Sequence, residues 1–308
     1  MTLLLTGRDV ADLLTIDDCI AAVENAFLLL GRGEVPRPAI AGVRATGGGF
    51  HIKAAIAGDR FAAKINSNFF EAKPRIKGVI VLCDAQDGRA LAVMDSIEIT
   101  ILRTGAATAV AAKYLARQNV RTALICGCGT QGRIHARALR RVRDIETIFA
   151  FDTDAEAAAN FAEETGAEAV PAPVWADIVV TCTPSRAAFL HSVQPGTFIA
   201  AVGADSEEKQ EVAPELMASA KVITDITEQC LTIGDLHHAV ASGRMRQGDV
   251  YAEFSEIVAG KKRGRESDDE IIVFDSTGMA LQDVAAAAIV YERAIAAGRG
   301  TPFGFAAF

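Results

Sequence analysis

The chain has 308 residues, 50% apolar and 23% charged, with a formal net charge of −8. That length allows two domains or one large one with ample core, and the composition is ordinary for a globular protein. The acidic balance excludes a general nucleic-acid binder, and the longest apolar run near the C-terminus, Val284 to Val290, is far too short to span a bilayer.

Residues 1–33 read as two helices. Thr6 with Asp9, and Thr15 with Asp18, match the acidic form of the capping box. Ile20, Val23, Phe27 and Leu30 then make a one-sided apolar stripe, ended by Gly31, Gly33 and Pro36. Residues 37–95 read as sheet, with strands at 39–43, 49–57, 61–67, 79–84 and 90–95 and a hairpin signal at Asp87-Gly88. Strands without intervening helices are expected to form a separate domain on the substrate side of a cleft, and such a domain can also supply a subunit interface. Ser96 is placed to cap a helix starting near Ile97, residues 105–115 are alanine-rich and helix-favouring, and Arg117-Gln-Asn119 is the expected crossing into a second domain.

From residue 120 strands and helices alternate. Helix 154–164 follows strands 122–126 and 147–151, and buried strands are expected at 178–181, 198–202, 221–224 and 271–274. This alternation implies a parallel sheet covered on both faces. Residues 261–270 read as an exposed loop and 280–297 as a final helix that packs back on the first domain. The expected fold class is α/β: a Rossmann-type doubly wound parallel sheet over 118–281, plus a second α+β domain built discontinuously from 1–117 and 282–308.

Thr122-Ala-Leu-Ile-Cys-Gly-Cys-Gly-Thr-Gln-Gly132 is the stretch that organises the chain. It reads as a buried strand, a glycine turn and a helix start, with Gly127, Gly129 and Gly132 fitting G-x-G-x-x-G. In that pattern the first glycine makes the tight turn, the second lets the backbone approach a pyrophosphate, and the third lets helix and strand pack closely. The helix start offers free N–H groups and the positive end of its dipole, so Thr130 and Gln131 are expected cofactor contacts as well. Asp152 closes the next strand 20 residues after Gly132, where a carboxylate would bind a ribose diol. It is followed by Thr153, Asp154, Ala155 and Glu156, with no cation close behind, which favours NAD over NADP. Arg133, Arg137, Arg140, Arg141 and Arg143 read as a solvated helix face, with Arg133 nearest the phosphates.

Ligands of an open α/β sheet bind beyond the carboxyl ends of the strands. Three segments should converge there: Thr181-Cys-Thr-Pro-Ser185, Val202-Gly-Ala-Asp205 and Asp275-Ser-Thr-Gly278. Thr183, Gly203, Ser276 and Gly278 are their expected cofactor-facing positions, although such residues also punctuate any loop. The six cysteines form no C-x-x-C pair and no zinc spacing, so no metal is expected. Free thiols in apolar runs and the absence of a signal-peptide pattern suit a cytoplasmic protein.

Leu91-Ala-Val-Met-Asp-Ser-Ile-Glu-Ile-Thr-Ile-Leu-Arg-Thr-Gly-Ala-Ala107 resembles the segment of the ornithine cyclodeaminase/mu-crystallin family that leads into its R-T-A-A helix. Gly127-Cys-Gly-Thr-Gln131 is similar to that family's G-A-G-x-Q, Val202-Gly-Ala-Asp-Ser-Glu-Glu-Lys-Gln-Glu211 to its I-G-A-D-x-P-G-K-x-E, and Asp275-Ser-Thr-Gly278 to its D-S-x-G. The matches run in order over nearly the whole chain. The resemblance implies an NAD(P)-dependent enzyme acting on an α-amino or α-imino acid, dimeric through its N-terminal domain. It places Lys64 at the active-site lysine, Arg103 and Arg37 at the arginines that bind the α-carboxylate, and Asp205 at the acid/base of the cyclodeaminases. Arg44 replaces Arg37 if the loop length shifts the alignment. An ammonium beside the substrate carbon can polarise an imine or carboxylate and relay a proton, and a guanidinium suits a carboxylate bidentately.

One departure matters. Where ornithine-type cyclodeaminases carry an acid ahead of an M-P box, this chain has Phe50-His-Ile-Lys-Ala-Ala55. Lys53 adds a cation there, which would suit an anionic or dicarboxylic imino acid. The expected activity is hydride transfer between nicotinamide and the α-carbon of an amino or imino acid. A cyclodeaminase with catalytic NAD and a cofactor-gated ligand-binding protein are the alternatives.

Overall fold

The structure is a computed structural model that describes residues 1–69 and 71–305. It opens with a strand too short to read from periodicity, β1 (Thr2–Leu5), then α1 (Gly7–Leu13) and α2 (Ile16–Arg32). Both helices start on the expected boxes: Thr6 and Thr15 accept from the N–H of Asp9 and Asp18, whose carboxylates reach back to the threonine N–H groups. Each box satisfies donors that a helix start otherwise leaves unpaired. Next come β2 (Ala39–Ala45), β3 (Gly48–Ala57), β4 (Arg60–Phe69), β5 (Ile76–Asp84) and β6 (Ala90–Asp95), paired antiparallel in sequence. The helix α3 (Ile97–Leu115) follows. Its cap differs from expectation. Asp95 Oδ1 accepts from the Ile97 N–H at 2.8 Å, while the Ser96 hydroxyl donates to Asn66 Oδ1 at 2.6 Å.

The alternating part of the chain runs β7 (Thr122–Cys126), α4 (Thr130–Val142), β8 (Thr147–Phe151), α5 (Ala155–Thr165), β9 (Glu168–Ala169), β10 (Ile178–Thr181), β11 (Arg186–Leu190) and β12 (Phe198–Ala201). It continues through β13 (Gln210–Val212), α6 (Pro214–Ser219), β14 (Lys221–Thr224), α7 (Thr227–Cys230), α8 (Asp235–Ala241), β15 (Ala252–Glu253), α9 (Phe254–Val258) and β16 (Ile272–Asp275). The helix α10 (Ala280–Ala297) and the short strand β17 (Thr301–Phe303) close the described chain.

Two compact units result, Met1–Arg103 with Met279–Phe308, and Thr104–Gly278. The sequence puts the crossings at 117/118 and 281/282. The division falls instead inside α3 and just ahead of α10. The later turns of α3 belong with the second unit because they pack there: Arg143 donates to the carbonyls of Ala112 and Lys113, and the Tyr114 ring meets Phe254 edge-on.

In the first unit the sheet order is β17-β1-β6-β5-β4-β3-β2. Side chains alternate between faces along each strand, so residues paired across strands share a face. One row across the sheet is Ile40, Lys53, Lys64, Ile80 and Met94. Its neighbour, Ala55, Ala62, Leu82 and Ala92, is buried and apolar. This inner face carries α10, which packs on β3, β4 and α2. The opposite face exposes Val43, Phe50, Ile56, Ile65 and Val79, each at least 38% accessible.

In the second unit every pair in the main sheet is parallel, in the order β15-β14-β16-β12-β10-β7-β8-β9. The chain starts at β7, winds outward through β8 and β9, then returns to β10 on the other side. The order reverses between β7 and β10, which is where an open parallel sheet receives ligands at its carboxyl edge. β10, β12 and β16 are buried along their whole length, as covered parallel strands must be.

Candidate active site

The second unit holds the glycine turn, and its three glycines are needed for three different reasons. Gly127 has φ of 106°, and a Cβ there would lie 2.8 Å from the Cys182 carbonyl oxygen of the neighbouring loop. A Cβ on Gly132 would lie 2.1 Å from the Gly127 carbonyl oxygen, so only glycine lets α4 start this close to β7. Gly129 is the N-cap of α4, makes no side-chain cap bond, and has nothing within 4 Å of its would-be Cβ. Its bare side is therefore kept open for something other than the fold. Thr130 is exposed beside it, and the buried Gln131 Oε1 has no hydrogen-bond partner among the described residues. An open glycine and uncapped helix N–H groups fit a dinucleotide pyrophosphate.

Asp152 ends β8. Its Oδ2 accepts from the Cys128 N–H at 2.8 Å and its Oδ1 from the Asp154 N–H at 3.0 Å, so the carboxylate is aimed at the glycine turn. Thr153 is exposed next to it. Arg133 does not point along the turn as a free cation. It pairs with Glu164 and donates to the Cys128 carbonyl at 2.6 Å.

The expected loop residues are held by a set of buried carboxylates that sequence reading passes over. Glu211 Oε1 accepts from the Thr183 N–H at 2.6 Å and from its hydroxyl at 2.7 Å, and Oε2 from the Gly203 N–H at 2.9 Å. One side chain thus ties the loop after β10 to the loop after β12. Asp235 Oδ1 accepts from the Glu211 and Val212 N–H groups, and Asp275 accepts from the Asp235 and Leu236 N–H groups. Asp225 Oδ2 accepts from the Ser276 hydroxyl at 3.0 Å and the Gly278 N–H at 2.6 Å. Burial raises the pKa values of Glu211, Asp235 and Asp275, and repulsion from Asp235 adds to the rise at Glu211 and at Asp275. Glu211 is the last residue of the motif quoted above. Its signal in the sequence was an acid directly followed by the apolar Val212 and Ala213.

The first unit gathers the other expected residues around one that was missed, Asp283 in the first turn of α10. Its Oδ1 accepts from Lys64 Nζ at 2.8 Å and from Arg103 Nε at 3.1 Å. Arg103 also donates to Gln282 Oε1 at 3.1 Å, and Lys64 to Thr100 Oγ1 at 3.4 Å. Lys64 is 3% exposed and Asp283 2%. Burial, then the charge of Arg103, pushes Lys64 down to about 7, and Asp283 only partly reverses this. Burial acts to raise Asp283, but Lys64 and Arg103 outweigh it and hold the carboxyl below its ordinary value. Asp283 Oδ2 has no hydrogen-bond partner among the described residues. Lys53 lies directly across from Lys64 in the β3–β4 register. A single acid inside the alanine-rich run 280–290 was the signal for Asp283, since an acid is almost never fully buried unless paired.

Three expected residues stand apart from the Lys64–Asp283–Arg103 contacts. Arg37 is exposed on the segment before β2, and Arg44 is exposed on β2 itself. Asp205 is exposed after β12 and pairs with Lys209 Nζ at 2.5 Å, while the His238 ring meets the Lys209 carbonyl. Among the described residues no group of three or more His, Cys, Asp or Glu could hold a metal ion, and no helix is long and apolar enough to cross a membrane.

The sequence pattern of the ornithine cyclodeaminase/mu-crystallin family matches residues 1–298. The alanine dehydrogenase of Archaeoglobus fulgidus is 39% identical over 317 residues, covering 99% of this chain and 98% of that protein. An archaeal alanine dehydrogenase, solved as a dimer with bound NAD, has a TM-score of 0.95 at 38% identity and covers 99% of both chains. The Delta(1)-pyrroline-2-carboxylate reductase of Thermococcus litoralis, solved with NADH and L-proline, has a TM-score of 0.92 at 32% identity, covering 98% of this chain and 100% of that one.

Proposed function

The chain belongs to the ornithine cyclodeaminase/mu-crystallin family, and from that premise we propose that it is an NAD-dependent oxidoreductase of amino and imino acids, working as an imine reductase or amino-acid dehydrogenase. The observation that carries this reading is the buried Lys64–Asp283–Arg103 cluster. A lysine shifted to about 7 can hold or release a proton near neutrality, and a guanidinium beside it can bind a carboxylate.

Gly127, Gly129, Gly132, Thr130 and Gln131 would hold the pyrophosphate of NAD, Asp152 and Thr153 the adenosine ribose, and Thr183, Gly203, Ser276 and Gly278 its nicotinamide half. Bound there, the cofactor would supply the hydride chemistry at the substrate α-carbon. Arg103 would fix the α-carboxylate, with Arg37 or Arg44 as a second arm. Lys64 Nζ would carry the proton required by the substrate nitrogen. The carboxylate of Asp152 accepts from a ribose hydroxyl and repels a 2′-phosphate, which supports NAD rather than NADP.

The exposed apolar face of the first unit's sheet supports a homodimer, since exposed Val43, Phe50, Ile65 and Val79 on one face are costly to leave in water. Six free cysteines suit a reducing compartment such as the cytoplasm. The test is NADH consumption by the purified chain against oxo acids with ammonium and against cyclic ketimines, beside NAD reactions with ornithine, lysine and alanine. Loss of NADH with an imine supports a reductase. Ammonia release from ornithine with no net change in NADH would make it a cyclodeaminase and refute the reading.

A further inference from the structure

We propose that Gln282 and Asp283, in the first turn of α10, bind the substrate directly as a matched pair. Asp283 Oδ2 accepts from the substrate nitrogen, and Gln282 Nε2 donates to the α-carboxylate. The proposal rests on the oxidoreductase reading above and names two further substrate-binding residues for it.

Gln282 is 0% exposed and Asp283 2%. Each uses one end of its side chain on the same guanidinium: Gln282 Oε1 accepts from Arg103 Nη1, and Asp283 Oδ1 from Arg103 Nε. Both groups are therefore pinned, which fixes the place of their second atoms as well. Those second atoms, Gln282 Nε2 and Asp283 Oδ2, are buried and have no hydrogen-bond partner among the described residues. A buried polar atom in that state has given up water without a replacement, the more so when it carries charge. Here two such atoms fall on consecutive residues, one a donor and the other an anionic acceptor. Their complement is a molecule with an acceptor and a cationic donor close together. An α-amino or α-imino acid supplies both, in its carboxylate and its nitrogen. Packing alone would be served by an apolar side chain at either position, since the rest of the run from Ala280 to Val290 is apolar.

The pair also suits proton transfer from Lys64. Lys64 and Arg103 hold the Asp283 carboxyl below its ordinary value, so Oδ2 takes a hydrogen bond and not the proton itself. Lys64 Nζ lies 2.8 Å from the other oxygen of the same carboxylate. When Lys64 protonates an imine, an N–H bond of the ammonium breaks and an N–H bond of the substrate forms. The positive charge moves from Nζ to the substrate nitrogen. Asp283 serves both places, one with each oxygen, and keeps its counter-charge throughout. A carboxylate at that nitrogen favours the protonated C=N, whose carbon is the better hydride acceptor.

The experiment is titration calorimetry on the full-length protein, with and without NADH. It is run at pH 8, where loss of the Asp283 charge costs the fold least because Lys64 is mostly neutral. The probes are L-alanine and L-proline, each beside the isostere with carbon in place of nitrogen, isobutyrate and cyclopentanecarboxylate. The wild type should bind at least one amino acid ~10-fold or more tightly than its isostere, which leaves Oδ2 unpaired. Asp283→Asn should bring that ratio close to one. Gln282→Glu keeps an acceptor for Arg103 but replaces the donor by an anion. It should weaken amino acid and isostere together by roughly 10-fold and leave their ratio in place. A wild type that shows no preference, or that binds none of the four probes, overturns the proposal. So does an unchanged ratio in Asp283→Asn, or an unchanged affinity in Gln282→Glu. The wild-type comparison needs no variant, so it decides even where a substitution impairs folding. Selective amino-acid binding with no hydride transfer strikes the oxidoreductase reading and leaves the site standing. Reduction of an imine together with unchanged binding in both variants strikes the site and leaves that reading.

Discussion

Replacing Asp283 by Asn removes one charge and almost no volume from the centre of the cation cluster. At pH 8 Lys64, at about 7, is already mostly neutral and loses little. Arg103 cannot deprotonate and is left with a neutral acceptor, so the cost there is about 2 kcal/mol, the worth of a charged hydrogen bond. At lower pH the cost should grow. Lys64 is charged in the native state below about 7, whereas without Asp283 its ammonium must be given up or left unpaired. At 1.36 kcal/mol per pKa unit, moving to pH 5.5 adds about 2 kcal/mol. Urea unfolding of the wild type, Asp283→Asn, Lys64→Met and the double variant at the two pH values measures this directly. The penalty for Asp283→Asn should rise on acidification in the wild-type background and stay level in the Lys64→Met background. A pH-independent penalty, or the same rise in both backgrounds, would refute the coupling of Lys64 to Asp283.

The two glycines of the turn should fail differently. Gly132→Ala, with its Cβ 2.1 Å from the Gly127 oxygen, should unfold several degrees early, whereas Gly129→Ala should melt like the wild type and lose NADH affinity by at least ~10-fold on fluorescence titration. Equal melting of the two variants would contradict the packing argument. Glu211→Ala releases Thr183 and Gly203 together, and should weaken NADH binding by about 10-fold while leaving the urea-induced loss of the first unit in place. Unchanged NADH binding would remove Glu211 from any positioning role. Lys64 can give a proton to the imine nitrogen only when charged, so kcat/KM for reduction should fall as pH rises through about 7. Lys64→Arg, which stays charged, should lose that limb, and an identical pH profile would assign it to another group. Ile65→Asp, on the exposed apolar face, should shift the protein from dimer to monomer in sedimentation, and an unchanged mass would place the interface elsewhere.

Local rules were sufficient for much of this protein. A capping box needs only residues three apart, so Thr6–Asp9 and Thr15–Asp18 were legible in the sequence. The glycine turn needs only a strand, three glycines and a helix start within eleven residues, and Asp152 follows at a distance set by one βαβ unit. The strands 2–5 and 301–303 were hidden because each has few residues and is stabilised by its sheet partner rather than by its own pattern. The boundary inside α3 was hidden for a related reason: one continuous helix carries no local mark of which unit each turn packs against.

The family motifs brought Lys64, Arg103 and the loop positions Thr183, Gly203, Ser276 and Gly278 into view. What joins them was set by the fold. Lys64 meets Asp283 across 219 positions in the chain, and the β3–β4 register alone puts Lys53 opposite Lys64. Glu211 and Asp225 read as ordinary acids until the sheet stacks their loops. Periodicity and motifs report which residues are near in sequence and which face they share. Charge pairing in a buried site depends on distances between distant segments, and only the packed tertiary structure determines those.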